Sequence, residues 1–279
     1  ELSRRVALLI GAGSGIGRAV ARRLVSEGAH LVLADLREEF AEGAAAELRE
    51  EFGADVVRVA TVDCTDRESV RRLLEVVVRE YGGLDVFVCI AAVFFPPDGE
   101  GRVTEEQWRK TFDVNLLGSY VPADEAYRLM AEQGTGNGSI VLVSSANAVV
   151  AKKGSFAYDT SKAALNHLVR EMAVEAGAKG VRVNAVAPAS VVEGSLQFPR
   201  ERVLSSLTKY GIAFEEGETT EELRGKLSGF YAERTLLKRR VTPSMVAEAA
   251  FLLASEKRSA LTTGQILPVD AGLPEAFLR

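Results

Sequence analysis

Two cysteines and two histidines in 279 residues leave little with which to build a metal site or a disulfide framework. Cys64 and Cys89 lie in apolar surroundings without ligand spacing and read as buried small hydrophobes. His30 and His167 are far apart with no carboxylate or cysteine pattern around them, so structural roles and no metal are expected. Also missing is any apolar run approaching the ~20 residues that span a bilayer, which excludes a membrane helix. Basic charge is in no excess. The 34 basic and 39 acidic residues are spread along the chain, and no basic stripe is present to neutralise phosphates, so nucleic acid is not an expected partner. The chain opens Glu1-Leu2-Ser3-Arg4 with neither a methionine nor a secretory apolar region. A cytoplasmic protein is therefore expected, with a further segment or domain preceding Glu1.

What is present reads as an α/β protein. Short β-branched apolar runs at 6–10, 30–34, 55–61, 84–90, 139–144, 181–186 and 265–269 read as strands. Amphipathic segments at 15–27, 38–52, 67–81, 104–133, 156–178 and 243–254 alternate with them as helices. Such alternation predicts a single domain over 1–279, a doubly wound parallel sheet of about seven strands with helices on both faces. The charged stretch 192–240 has no strand-like run and reads as a helical excursion over the substrate.

Two groups of residues carry chemistry. The first strand ends in Gly11-Ala12-Gly13-Ser14-Gly15-Ile16-Gly17 and passes straight into a helix, an arrangement in which backbone amides and a helix N-terminus cradle a pyrophosphate. About 20 residues on, Asp35 ends the second strand, where a carboxylate accepts from the ribose hydroxyls and repels a 2′-phosphate. With Ser14 in the loop in place of a basic residue, this favours NAD over NADP, while Arg37 argues slightly the other way.

The second group is Tyr158 and Lys162, four residues apart and so on one face of a helix. A free phenol titrates near pKa ~10. A unit charge about 4 Å away, at an effective dielectric near 20, contributes roughly 4 kcal/mol, enough to bring the phenol into acid-base range. The expectation is that Lys162 depresses the pKa of Tyr158.

Together the Gly11/Gly15/Gly17 turn, Asp63 after the third strand, Asn115 in Asp113-Val114-Asn115-Leu116, Ser145, and Tyr158 with Lys162 resemble the short-chain dehydrogenase/reductase family, over essentially the whole chain. The resemblance implies a Rossmann-type fold and four catalytic residues. Tyr158 would exchange the proton with the substrate oxygen, Ser145 would hydrogen-bond it, Lys162 would also hold the nicotinamide ribose, and Asn115 would anchor a relay water. Cofactor contacts implied alongside Gly11, Gly13, Ser14, Gly15, Ile16 and Gly17 are Asp35, Leu36, Asp63, Cys64, Ala91, Ala92, Pro188 and Val191, with Tyr158 and Lys162. Departures from the family pattern stand at Ile10, at Cys89-Ile90-Ala91-Ala92, and at Ala189 and Glu193; they predict altered bracing of the cofactor loops.

The segments 129–134, 145–150, 231–239 and 268–279 look in addition like the dehydrogenase half of bifunctional aldolase/short-chain dehydrogenases of deoxysugar catabolism. That implies a small hydroxy-aldehyde or sugar-derived substrate. Substrate contacts are expected from Phe94, Phe95, Pro96 and Pro97, from Asn147 with Ser145 and Tyr158, and from 192–240. Assembly into a homotetramer through helices 104–133 and 156–178 is expected, with the tail 273–279 joining the interface. Two other readings are a cofactor-binding sensor or scaffold with weak catalysis, motivated by 89–92, and an NADP-linked ketoreductase of acyl or polyketide substrates, opposed by Asp35.

Overall fold

The computed structural model describes residues 1–277. Its seven strands are β1 (Val6–Ile10), β2 (His30–Asp35), β3 (Val57–Thr61), β4 (Val86–Cys89), β5 (Ser139–Val143), β6 (Arg182–Pro188) and β7 (Ile266–Val269). They form one parallel sheet in the order β3-β2-β1-β4-β5-β6-β7. The helices are α1 (Gly15–Ser26), α2 (Glu38–Phe52), α3 (Arg67–Tyr81), α4 (Glu105–Phe112), α5 (Gly118–Gln133), α6 (Phe156–Gly177), α7 (Arg200–Lys209), α8 (Thr220–Glu233), α9 (Pro243–Ala254) and the short α10 (Glu256–Ser259).

Alternate residues of each strand supply the two faces of the sheet, as a period of two requires. Ala7, Leu9, Leu31, Leu33, Val86, Val88 and Val141 face one way, into a core shared with α1, α2 and α9. Leu8, Ile10, Val32, Ala34, Phe87, Cys89, Ile140 and Leu142 face the other, against α3, α5 and α6. Both faces are covered, so the strands read as nearly continuous apolar runs. A third, smaller core of Val192, Val203, Leu207, Leu223 and Leu227 lies under α7 and α8. Helix starts follow their caps: Ser14 accepts from Gly17 N, Asp66 from Glu68 N and Ser69 N, and Thr104 and Thr219 each close a capping box. Among the described residues, no helix is long and apolar enough to cross a membrane.

Three segments differ from the sequence expectation, one of them the strand expected over 84–90, which is confined to Val86–Cys89. The strand expected over 55–61 begins only at Val57, because Ala54–Val56 forms a 3-10 turn after Gly53. The single helix expected over 104–133 is broken into α4 and α5 by a π-helical turn, Asp113–Leu117. Inside α5, Pro122 offers no N–H to the carbonyl of Gly118 four residues earlier. The Cys89 thiol donates to that carbonyl at 3.7 Å, which gives this cysteine a structural task.

Sheet order reverses between β1 and β4, whose chains leave toward opposite edges. Such a switch point opens a crevice at the carboxyl ends of the strands. The loops that carry the candidate residues all emerge there.

Candidate active site

At those strand ends lies a cleft of about 1420 Å³. This exceeds the ~300–1,000 Å³ usual for a drug-sized ligand and leaves room for a dinucleotide with a substrate beside it. Its cofactor end is built by the turn after β1. Gly11 takes φ +95°, and a Cβ there would stand 2.8 Å from Ala91 N, so only glycine lets the β1 and β4 loops approach this closely. At Gly17 a Cβ would meet Gly11 O at 2.3 Å, which makes this residue the seat of α1 on the turn. Gly13 packs on Phe40, where a Cβ would come within 2.6 Å of that side chain. Of the turn, Gly11, Ser14, Gly15 and Ile16 line the cleft. The amide of Gly15 donates to Gly194 O at 3.0 Å, so the loop after β6 lies across the start of α1.

Asp35, Leu36, Asp63, Cys64, Ala91, Ala92, Pro188 and Val191 line the same cleft. The Asp35 carboxylate accepts from Gly13 N at 3.2 Å and Arg37 N at 3.3 Å, which orients it at the end of β2. Arg37 stacks its guanidinium 3.6 Å over the Phe40 ring. Asp63 accepts from the hydroxyl and amide of Thr65 at 2.7 and 2.9 Å. That hydroxyl bond, with the amide bond, holds its pKa below the usual carboxylate range despite partial burial. Burial pushes the Cys64 thiol up to about 12 and the Cys89 thiol up to about 11, so neither is a nucleophile.

The loop after β4 is braced by other means than the family's usual side chains. Ile90 N donates to Ile10 O at 2.9 Å. Asn115, fully buried, accepts from Val93 N at 2.8 Å and donates to Val93 O at 3.0 Å and to Ser161 Oγ at 3.1 Å. Its side chain is thereby committed to fastening this loop to α6, and it does not line the cleft. The π-helical turn that interrupts the expected helix is what carries it.

The substrate end combines Ser145, Asn147, Tyr158 and Lys162 in one wall. Ser145 follows β5, and its hydroxyl accepts from Asn147 N at 3.1 Å. Asn147 donates to Asp159 Oδ1 at 2.6 Å, tying this loop to the first turn of α6. Phe94 lines the cleft and meets the Tyr158 ring edge-on, centroids 5.5 Å apart, whereas Phe95, also expected at the substrate, is not among the lining residues.

The expected electrostatics of the tyrosine and lysine do not hold in this arrangement. Lys162 is buried, and its ammonium donates to Val143 O at 2.7 Å, with Nζ 5.8 Å from the Tyr158 ring centroid. Tyr158 is pushed up to about 12 by burial, against a smaller pull from the Ser145 hydroxyl, and Lys162 does not counteract this. Burial likewise brings Lys162 down to about 8. Burial of the phenol dominates, and the ammonium is itself engaged by the Val143 carbonyl of β5. A cation that does bear on Tyr158 is Arg202 of α7. Sequence reasoning missed it as an individual, although its spacing of four from Phe198, inside the stretch assigned to substrate contact, was a readable signal.

His30 stacks on Tyr81 and His167 pairs with Glu171, and no metal-binding cluster occurs among the described residues. Of the tail expected at an interface, Leu278 and Arg279 lie outside the described residues.

The sequence profile described as short chain dehydrogenase matches residues 5–199. The uncharacterized oxidoreductase YuxG of Bacillus subtilis is 36% identical over 281 residues, covering 100% of this chain, which spans 39% of that protein's length. Cis-4-hydroxycyclohexanecarboxylate dehydrogenase of Sinomonas cyclohexanicum is 33% identical, with 97% of this chain and 96% of that one covered. A solved short-chain type dehydrogenase/reductase of Mycobacterium ulcerans superposes with a TM-score of 0.80 at 30% identity, covering 100% of this chain and 92% of the other. A parallel seven-stranded sheet, a glycine turn feeding α1 and these likenesses agree: the chain belongs to the short-chain dehydrogenase/reductase family, oxidoreductases that use a nicotinamide dinucleotide.

Proposed function

We propose that this protein is a cytoplasmic NAD-dependent dehydrogenase that interconverts an alcohol and a carbonyl on a small hydroxy-aldehyde or sugar-derived substrate. The observation that carries this reading is that the Tyr158 phenol, the Ser145 hydroxyl and the Lys162 ammonium line the same cleft as the glycine turn and Asp35. The name of the Sinomonas relative, a dehydrogenase of a ring alcohol, supports CH–OH chemistry. The resemblance of 129–134, 145–150, 231–239 and 268–279 to the dehydrogenase half of bifunctional aldolase/short-chain dehydrogenases of deoxysugar catabolism motivates the substrate class.

The residues fit a dinucleotide. Gly11 and Gly17 tolerate no Cβ, and the start of α1 presents a partial positive charge suited to a pyrophosphate. Asp35 would take the adenosine ribose and Lys162 the nicotinamide ribose. The bound cofactor would donate or accept the hydride. Hydride arrival at a carbonyl builds alkoxide charge on the substrate oxygen, which the Ser145 hydroxyl stabilises as a donor. In the reductive direction Tyr158 supplies the proton, and burial keeps its phenol in the protonated form this requires. In the oxidative direction the phenol must first release its proton, and Lys162 and Arg202 are the cations beside it.

Tyr158→Phe tests the assignment. It should lower kcat by about 10²- to 10⁴-fold, as expected for loss of a general acid-base group, with NADH binding followed by fluorescence still saturable. Retained turnover would defeat the proposal.

Two observations favour a weakly catalytic sensor or scaffold instead: the Gly15 amide is engaged by Gly194 O, and the Lys162 ammonium by Val143 O. Saturable NADH binding without turnover of alcohols, hydroxy acids or sugars would select that reading. The position of Arg37 on Phe40, beside Asp35, is what favours an NADP-linked acyl or polyketide ketoreductase. Tighter binding of NADPH than of NADH would select it.

A further inference from the structure

Resting on the dehydrogenase reading, we propose that Arg202 binds a carboxylate of the substrate, so that the preferred substrates are hydroxy-carboxylates. Arg202 lines the cleft from the first turn of α7, against the same Phe94 ring that meets the catalytic tyrosine. Its guanidinium carbon stands 4.1 Å from the Phe94 ring centroid and 4.5 Å from that of Phe198. Phe94 in turn touches the Tyr158 ring at 5.5 Å. The cation and the group that exchanges the proton thus share one aromatic neighbour, and the charge bears on the phenol.

Two features distinguish Arg202 from the surface arginines of this protein. Most of those meet a carboxylate, as Arg5 meets Asp85 and Arg67 meets Asp124. No carboxylate among the described residues comes within ion-pair distance of Arg202. Second, only one hydrogen bond from its guanidinium is present among the described residues, Nη1 to Gln197 O at 2.5 Å. Nε and Nη2 keep their donors, and a planar guanidinium held by two rings has lost the freedom it would otherwise give up on binding. Burial pushes its pKa down, and the groups that oppose this are phenols, those of Tyr231, Tyr158 and Tyr210. A guanidinium remains charged there at neutral pH. A partly buried cation without a counterion, with donors in a fork, is complementary to a carboxylate. Lys209, Arg234 and Arg239 also line the cleft, but Arg202 is the cation that bears on Tyr158, and its fork of donors matches the two oxygens of a carboxylate.

The test compares matched substrates. For 3-hydroxybutyrate against 3-hydroxybutyramide, and 4-hydroxycyclohexanecarboxylate against its carboxamide, kcat/KM should favour the acid by about 10- to 100-fold in the unaltered protein, the discrimination expected of a charge-assisted bidentate pair. Arg202→Met, which keeps an unbranched apolar side chain between the rings, should bring that ratio close to one. Arg202→Lys, which keeps the charge without the fork, should restore part of it. A merely structural role would lower both members of each pair alike and leave the ratio unmoved, which would overturn the assignment. So would a preference confined to a phosphorylated alcohol such as glycerol 3-phosphate. Where no alcohol turns over, the dehydrogenase reading fails by itself. Arg202 is then judged by calorimetric binding of cyclohexanecarboxylate against cyclohexanecarboxamide to the NADH-loaded protein: a preference for the acid that Arg202→Met removes supports it, and equal binding refutes it.

Discussion

At the scale of the residue, burial decides the ionisation of the two groups on which the chemistry rests. Lys162 titrates near about 8 when folded, against an ordinary 10.5. Below about pH 8 both folded and unfolded chains hold this proton, and the penalty of burying the ammonium is fully present. Between about 8 and 10.5 the unfolded chain still holds the proton that the folded protein has released, so this group makes stability rise with pH in that window. Tyr158 acts in the opposite sense and later: its folded pKa is raised to about 12, so its contribution is lost only as pH climbs above its ordinary 10. Lys162→Met therefore has a pH signature. From about pH 7.5 to about pH 10 the unaltered protein should gain roughly 2 kcal/mol relative to the variant in urea unfolding. A pH-independent difference would show that Lys162 is not desolvated as the structure has it. The offset between the two proteins also contains the bond to Val143 O, so the slope is the informative quantity.

At the scale of the element, the strands and most helices could be read from periodicity because both faces of the sheet are covered and the caps are written in the sequence, as at Ser14, Asp66 and Thr242. The break between α4 and α5 was not legible. Nothing in the pattern Asp113-Val114-Asn115-Leu116-Leu117 marks a π-helical turn, since its cause is a tertiary one: Asn115 must reach both Val93 and Ser161. Likewise the spacing of Tyr158 and Lys162 gave their shared face, whereas the engagement of the ammonium by β5 depends on a strand distant in sequence. Asn115 is the joint between these elements. Asn115→Ala would leave Val93 N–H and C=O without their side-chain partner. Val93 is half-buried and lines the cleft, so water can replace part of what is lost, and a decrease of roughly 1–3 kcal/mol in unfolding free energy is expected. Because the loop after β4 carries Ala91, Ala92 and Phe94 into the cleft, NADH affinity should fall as well. Unchanged stability and affinity would mean that the brace is redundant.

At the scale of the molecule, the sheet and its flanking helices form two extensive cores, while α7 and α8 rest on a separate cluster of five buried side chains. The helix that carries Arg202 thus rests on a smaller buried apolar cluster than the sheet does, which suits a part that must admit ligands. Elsewhere on the surface apolar groups remain in water. Leu261 is wholly exposed and Val174 on α6 is 82% exposed. The two lie on adjoining elements, since a Cβ at Gly264 would sit 3.5 Å from that of Ala173. A single exposed leucine means little, but from two large apolar side chains on α6 and the loop before β7 we propose that a second copy of this chain would be seated there. Covering such side chains is worth about 1.5–3 kcal/mol each, and an ionised group placed there would remove that gain and add a desolvation cost in every copy of the interface. Sedimentation velocity at micromolar concentration should therefore give an oligomer, with the tetramer expected. The pair Val174→Asp and Leu261→Asp should shift it to smaller species without changing the far-ultraviolet circular dichroism. An oligomer indifferent to both substitutions would move the interface elsewhere on the molecule, and a monomer of the unaltered chain would refute assembly.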